Sequence, residues 1–98
     1  MSAPPPVRDH ETPDAARLVK ERLMTGLRLR EGLQTSEMCN AAEAARPGSS
    51  GRIVAAAAKA VERGQMSPDV GSVFRLTRTG MLVADAVVIE FIGAFDGD

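Results

Sequence analysis

The apolar residues of the chain change their period along its length, and each change marks a different kind of element. Between Pro13 and Leu29, Ala15, Leu18, Val19, Leu23, Gly26 and Leu27 recur at i, i+3, i+4 and i+7 spacings. Arg17, Lys20, Glu21 and Arg28 lie largely off that stripe. This predicts an amphipathic first helix from Pro13 to Leu29. Thr12 is its expected N-cap, and Pro13 takes the first helical position, where a missing N–H costs nothing. In the tail, Leu27 and Leu29 alternate with Arg28 and Arg30 before Glu31 and Gly32, and cations followed by a glycine suit a helix end.

A second, short helix is expected from Thr35 or Ser36, either hydroxyl serving as cap, with Glu37 in the first turn. It carries Met38, Cys39, Ala41, Ala42 and Ala45 and stops before Pro47-Gly48. A third runs from Arg52 to Arg63 on a stripe of Ile53, Val54, Ala57, Ala60 and Val61, with Gly64 as its C′ residue. Then the period shortens to two. Met66 precedes a Pro68-Asp69-Val70-Gly71 turn, after which Val73 to Leu76 alternate as a half-buried strand, Phe74 and Leu76 inward, Val73 and Arg75 outward. The closing run, from Thr77 or Thr79 to Phe95, is apolar almost all round, interrupted by Asp85 and Glu90. Length and the Thr cap favour a helix there. It is too short and too charged for a membrane span. A helix apolar on all sides needs cover on all sides, so an exposed apolar patch, and with it a partner surface, is expected.

The expected fold is therefore α+β and mostly helical: three helices, a small β-hairpin and a C-terminal helix, the element order of a winged-helix domain. Residues 1–12, with Pro4, Pro5 and Pro6 and no periodic apolar pattern, read as a flexible tail, and 13–98 as one domain. His10 falls in that tail, without the fixed convergent partners a site needs.

Composition narrows the chemistry. Apolar residues make up 44% of the 98, yet Phe74, Phe91 and Phe95 are the only aromatics, so the core must rely on aliphatic side chains. A formal net charge of −1 gives no electrostatic reason to expect nucleic acid or an anionic membrane. One cysteine makes no internal disulfide, and Met1-Ser2-Ala3-Pro4 opens no apolar signal segment, so a reducing cytoplasm is the expected compartment. Cys39 itself reads as a small buried hydrophobe rather than a nucleophile or ligand, because no His lies in the ordered region. Met24 and Met38 likewise read as core rather than haem ligands. The loop Pro47 to Gly51, with Arg46 and Arg52 beside it, is a candidate for a phosphate or propionate at the start of the third helix, against an ordinary Ser-capped loop.

Three blocks in order carry a family resemblance. Glu21 to Leu33, E-R-L-M-T-G-L-R-L-R-E-G-L, resembles the motif that opens the C-terminal domain of the radical-SAM oxygen-independent coproporphyrinogen III oxidase family and its haem-chaperone relatives. Ala60-Val61-Glu62-Arg63-Gly64-Gln65-Met66 stands where that family has a helix ending in Gly before the hairpin. Phe74-Arg75-Leu76-Thr77-Arg78-Thr79-Gly80, then Asp85, is similar to its closing Arg-Leu-Thr-x-x-Gly pattern and final helix. Together they cover roughly residues 15 to 95.

The resemblance implies a partner barrel that holds a [4Fe–4S] cluster and S-adenosylmethionine and acts on or carries a porphyrin or haem. The family's cluster needs three cysteines as Cys-x-x-x-Cys-x-x-Cys, and this chain has only Cys39, so neither cofactor nor catalytic residue is expected here. The chain reads as an accessory domain, either excised or stand-alone, that packs on the barrel. Arg28, Arg30 and Glu31 are the candidates to contact barrel or porphyrin, since a guanidinium suits a propionate. Salt bridging to Glu21, Glu31 or the barrel is the competing role for the two arginines. Gly26, Gly32, Thr77, Gly80 and Asp85 are the structural motif residues, with Asp85 expected to seek Arg75, Arg78 or the barrel. The contrasting possibilities are a DNA-binding winged helix of a transcription regulator and a protein-interaction module without porphyrin chemistry. Against the former, the third helix offers Ala55 to Ala58 where base-reading side chains belong, leaving Arg52, Lys59 and Arg63 as its cations.

Overall fold

The computed structural model describes residues 13–97, so Thr12, His10 and the proline-rich tail lie outside the described residues. Five helices and one antiparallel strand pair follow in the order α1 (Pro13–Gly26), β1 (Leu33–Gln34), α2 (Thr35–Ala45), α3 (Ser49–Glu62), β2 (Val73–Phe74), α4 (Arg78–Leu82) and α5 (Ala84–Asp96). The fold is α+β and mostly helical. Leu33 pairs with Phe74 and Gln34 with Val73. The hairpin expected around the Pro68 turn closes as a single bridge, Met66 to Leu76, so residues 73–76 lie between the segment before α2 and the segment after α3.

α1 is three residues shorter than the pattern 13–29 indicates. Gly26 is buried, and a Cβ on it would collide with the Leu33 side chain, which closes over the helix end. Residues 27–31 then turn through short bonds, Leu29 N–H to the Gly26 carbonyl at 3.1 Å and Gly32 N–H to the Leu29 carbonyl at 3.0 Å. The Leu–Arg alternation is the mark of that turn: Leu27 is buried while Leu29 is 48% exposed. Leu18 also departs from its expected place in the core stripe, since it is 56% exposed and the buried line is Val19, Leu23 and Leu27.

α2 starts at Thr35, but neither hydroxyl caps it. Thr35 Oγ1 instead donates to the Val70 carbonyl at 2.7 Å and its N–H to the Ser72 carbonyl at 3.0 Å, tying the helix start to the hairpin turn. α3 begins at Ser49, three residues before the expected Arg52. Its far end is a Schellman turn: Gln65 N–H reaches the Ala60 carbonyl and Gly64 N–H the Val61 carbonyl, both at 2.9 Å, with Gly64 at φ +73°.

The single closing helix expected from Thr77 to Phe95 is two helices. Val83, at φ −123° and ψ 34°, leaves helical geometry and separates α4 from α5. α5 buries Val87, Val88, Phe91 and Phe95, one face of the helix, against the rest of the core. Phe91 meets Phe74 edge-to-face with ring centroids 5.6 Å apart. Around them pack Leu23, Leu27, Met38, Ile53, Ala57 and Met66, a core of mostly short side chains.

α5 is fastened at both ends. Its start meets the turn after α1 through Asp85 and Arg28, and its end meets α1 itself through Asp96 and Lys20 at 3.1 Å, so the two helices run antiparallel. Against α3, Glu90 pairs with Arg63 at 2.8 Å, and Arg52 donates to the Ala94 and Phe95 carbonyls at 2.7 and 3.0 Å. These last carbonyls lack an i+4 partner inside the helix, Ala94 receiving only a 3.3 Å bond from Gly97 N–H, and the guanidinium supplies both charge and donors. Arg46 adds a face-on contact 5.2 Å above the Phe95 ring.

Candidate functional site

The residues singled out by sequence fall on the joints between elements. Gly32, at φ +71°, lies so close to the Phe74 carbonyl that a Cβ would strike it. Thr77 caps α4 by accepting from Gly80 N–H at 3.0 Å, and its own hydroxyl donates to the Gly64 carbonyl at 2.6 Å. Gly80 sits against Gln65, whose carbonyl oxygen occupies the space a side chain would need. The three sequence blocks therefore meet one another: the first touches the last through Gly32 and Leu33 on Phe74, and the second touches the last through Gly64 and Gln65.

Arg28 and Asp85 complete this convergence. The Arg28 guanidinium pairs with the Asp85 carboxylate and also donates to the Met24 carbonyl at 3.0 Å. Asp85 thus takes Arg28, not Arg75 or Arg78; Arg75 is instead paired with Asp69 at 3.1 Å. Nor does Arg28 pair with Glu21 or Glu31. Both partners are solvent-accessible, so the pair positions helices more than it stabilises them. Arg30 and Glu31 stand exposed, with no ion pair or hydrogen bond to another described residue.

No protein-family model, curated protein or solved structure matches the chain.

At the start of α3 the anion-binding position is filled from within. Glu43 accepts from Gly48 N–H at 2.7 Å, from Ser50 N–H at 3.2 Å and from the Ser50 hydroxyl at 2.7 Å. This carboxylate holds the N–H groups that a phosphate or propionate would use. The Gly48 and Ser50 donors hold its pKa below the ordinary carboxylate value, with Arg52 adding a smaller pull in the same direction. The alternative of a Ser side-chain cap also fails, since Gly48 is the N-cap and the Ser49 hydroxyl is buried without a hydrogen-bond partner among the described residues. A Glu five residues before the Gly of a helix start was the available signal for this arrangement.

Cys39 is half-buried rather than fully buried, and burial, reinforced by the Glu43 charge, pushes its thiol pKa up. A protonated lone thiol does not fit a [4Fe–4S] cluster, which needs several thiolates. No group of three His, Cys, Asp or Glu side chains gathers among the described residues. Met38 lies in the core, while Met24 is 41% exposed. Among the described residues no helix is long and apolar enough to cross a membrane.

The expected apolar surface takes a specific form. Leu82 is 82% exposed and Ile89 67%, with Met81, Val83, Leu29 and Met24 partly exposed. In sequence they flank Asp85 on one side and Arg28 on the other, the two residues whose contact joins α1 to α5.

Proposed function

We propose that this chain is a non-catalytic accessory domain of the coproporphyrinogen III oxidase-like radical-SAM and haem-chaperone type, acting in the cytoplasm. It packs on a radical-SAM barrel and helps close the porphyrin or haem site; cluster and S-adenosylmethionine belong to the barrel. The observation that carries this reading is the set of apolar residues left exposed on the segments that hold Arg28 and Asp85, Leu82 and Ile89 above all. Exposed apolar side chains on the segments that flank Arg28 and Asp85 support a docking face. Beside that face Arg30 has its guanidinium free for a propionate or a barrel carboxylate, whereas Arg28 is engaged.

The regulator reading has less support. α5 lies along α3, so that face is covered by a second helix; Arg63 is paired with Glu90, and Arg52 is fixed against the end of α5 and not free to follow a duplex backbone. The test is co-elution of the full chain with a coproporphyrinogen oxidase-like barrel lacking its own C-terminal domain, with and without haem. A complex whose formation shifts the amides of 28–33 and 82–89 is expected. Absence of a complex, together with salt-sensitive shifts along 52–63 on adding duplex DNA, would overturn it.

A further inference from the structure

Between α3 and α5 lies an open groove of about 410 Å³, within the size range of small-ligand sites. Its floor is Ala55 and Ala56 from α3 and Gly93 and Ala94 from α5, so no side chain there extends past Cβ. Its rim is cationic: Arg52, Lys59 and Arg63 stand over the floor, against a single carboxylate, Glu90. The three cations differ in what they already do. Arg63 spends one amino nitrogen on both oxygens of Glu90. Arg52 donates from Nε and one amino group to backbone carbonyls, which fix the guanidinium without an ion pair, while its charge also acts at longer range on Glu43. The Lys59 side chain, between them on the helix, makes no ion pair or hydrogen bond to another described residue.

We infer that this groove binds a small amphiphilic organic anion, its carboxylate or phosphate ester group held by Lys59 and Arg52 and its short apolar body lying over Ala55, Ala56, Gly93 and Ala94. Seven residues separate Arg52 from Lys59, about 10 Å along a helix, so one head group meets both only through their long flexible side chains or spans them as a dianion. Glu90 repels an anion from the Arg63 end and so orients the ligand. A duplex does not fit the case, because the apolar floor between two packed helices has no counterpart in a phosphate backbone. The inference uses residues other than the proposed docking face and stands or falls separately from it.

Hexyl phosphate, heptanoate and inorganic phosphate titrated into the isotope-labelled full chain test it. Saturable amide shifts at Ala55, Ala56, Lys59, Gly93 and Ala94 with either amphiphile are expected, the tighter of the two identifying the head group. Inorganic phosphate should bind at least about five-fold more weakly, since it forfeits burial of the apolar body. Lys59→Ala should weaken binding by about three- to five-fold, and Glu90→Gln, by releasing Arg63, should strengthen it by a similar factor. No saturable shift with either amphiphile, equal binding of inorganic phosphate, or indifference to Lys59→Ala would each overturn the inference. Shifts confined to 82–89 would also count against it, as apolar adsorption elsewhere.

Discussion

Single residues show how closely local chemistry fits this fold, and where it does not. Ser49 is fully buried with a hydroxyl that finds no partner among the described residues. A buried unpaired polar group costs free energy, and Ala is the better helix former, so Ser49→Ala should stabilise the protein by about 1 kcal/mol in urea unfolding. Glu43 behaves in the opposite sense. Its folded pKa lies below the ordinary 4.5 because backbone and hydroxyl donors hold the carboxylate ionised. Its contribution is therefore complete above that ordinary value and is lost as pH falls through the lower folded value. Glu43→Gln should flatten the pH dependence of stability across that acidic interval, measured by thermal unfolding at stepped pH. At this scale the sequence was legible in part. A glycine before a helix start is visible in any reading, but which of several acidic side chains fills the position depends on a turn angle that composition does not carry. Asp85 illustrates the same limit, since its partner lies 57 positions away while Arg75 and Arg78 are nearer in sequence.

At the level of elements, periodicity located α1, α2, α3, the turn between the hairpin arms and the run that holds α4 and α5, and failed at ends and at the break between those two. α1 stops at Gly26 because Leu33 folds back over it, a tertiary contact that no local propensity announces. The last apolar run divides at Val83, whose departure from helical geometry comes with no change of period and so leaves no mark in the pattern. The strand pair joins 33–34 to 73–74, and a two-residue strand between helices leaves too short a pattern to read. Two glycines separate close approach from mere permissiveness. Gly80→Ala should cost about 2–3 kcal/mol, because the new Cβ meets the Gln65 carbonyl. Gly93→Ala, in the interior of α5 with nothing near its Cβ position, should gain about 0.5–1 kcal/mol. Matched denaturation curves of the two variants check both signs together.

For the whole molecule, α1, α2, α3 and α5 each contribute buried apolar residues to one core, while the last run leaves a few large side chains in water. Replacing Leu82 and Ile89 together by Asp should change stability by no more than about 0.5 kcal/mol, since both are exposed. The same double substitution should abolish co-elution with a radical-SAM barrel. A large loss of stability instead would mean that these residues serve the domain's own packing. The candidate docking face was legible as an excess of apolar residues in the last run, while its position beside Arg28 emerged only from the pairing of α1 with α5. The groove between α3 and α5 was not legible at all, because it is made by what small residues leave empty.

The clamp of Arg52 on the end of α5 has a consequence for motion. Helix ends ordinarily fray, and their amides exchange with solvent long before the core opens. Here the Ala94 and Phe95 carbonyls are held by a side chain from the first turn of α3, while Gly97 N–H bonds back to the Gly93 carbonyl at 2.9 Å. The last turn of α5 can loosen only when Arg52 lets go, so its protection should approach that of the helix middle. In Arg52→Ala, deuterium should enter the amides of Asp96 and Gly97 early while those of Val88 and Phe91 stay protected, turning one cooperative helix into two zones of different lifetime.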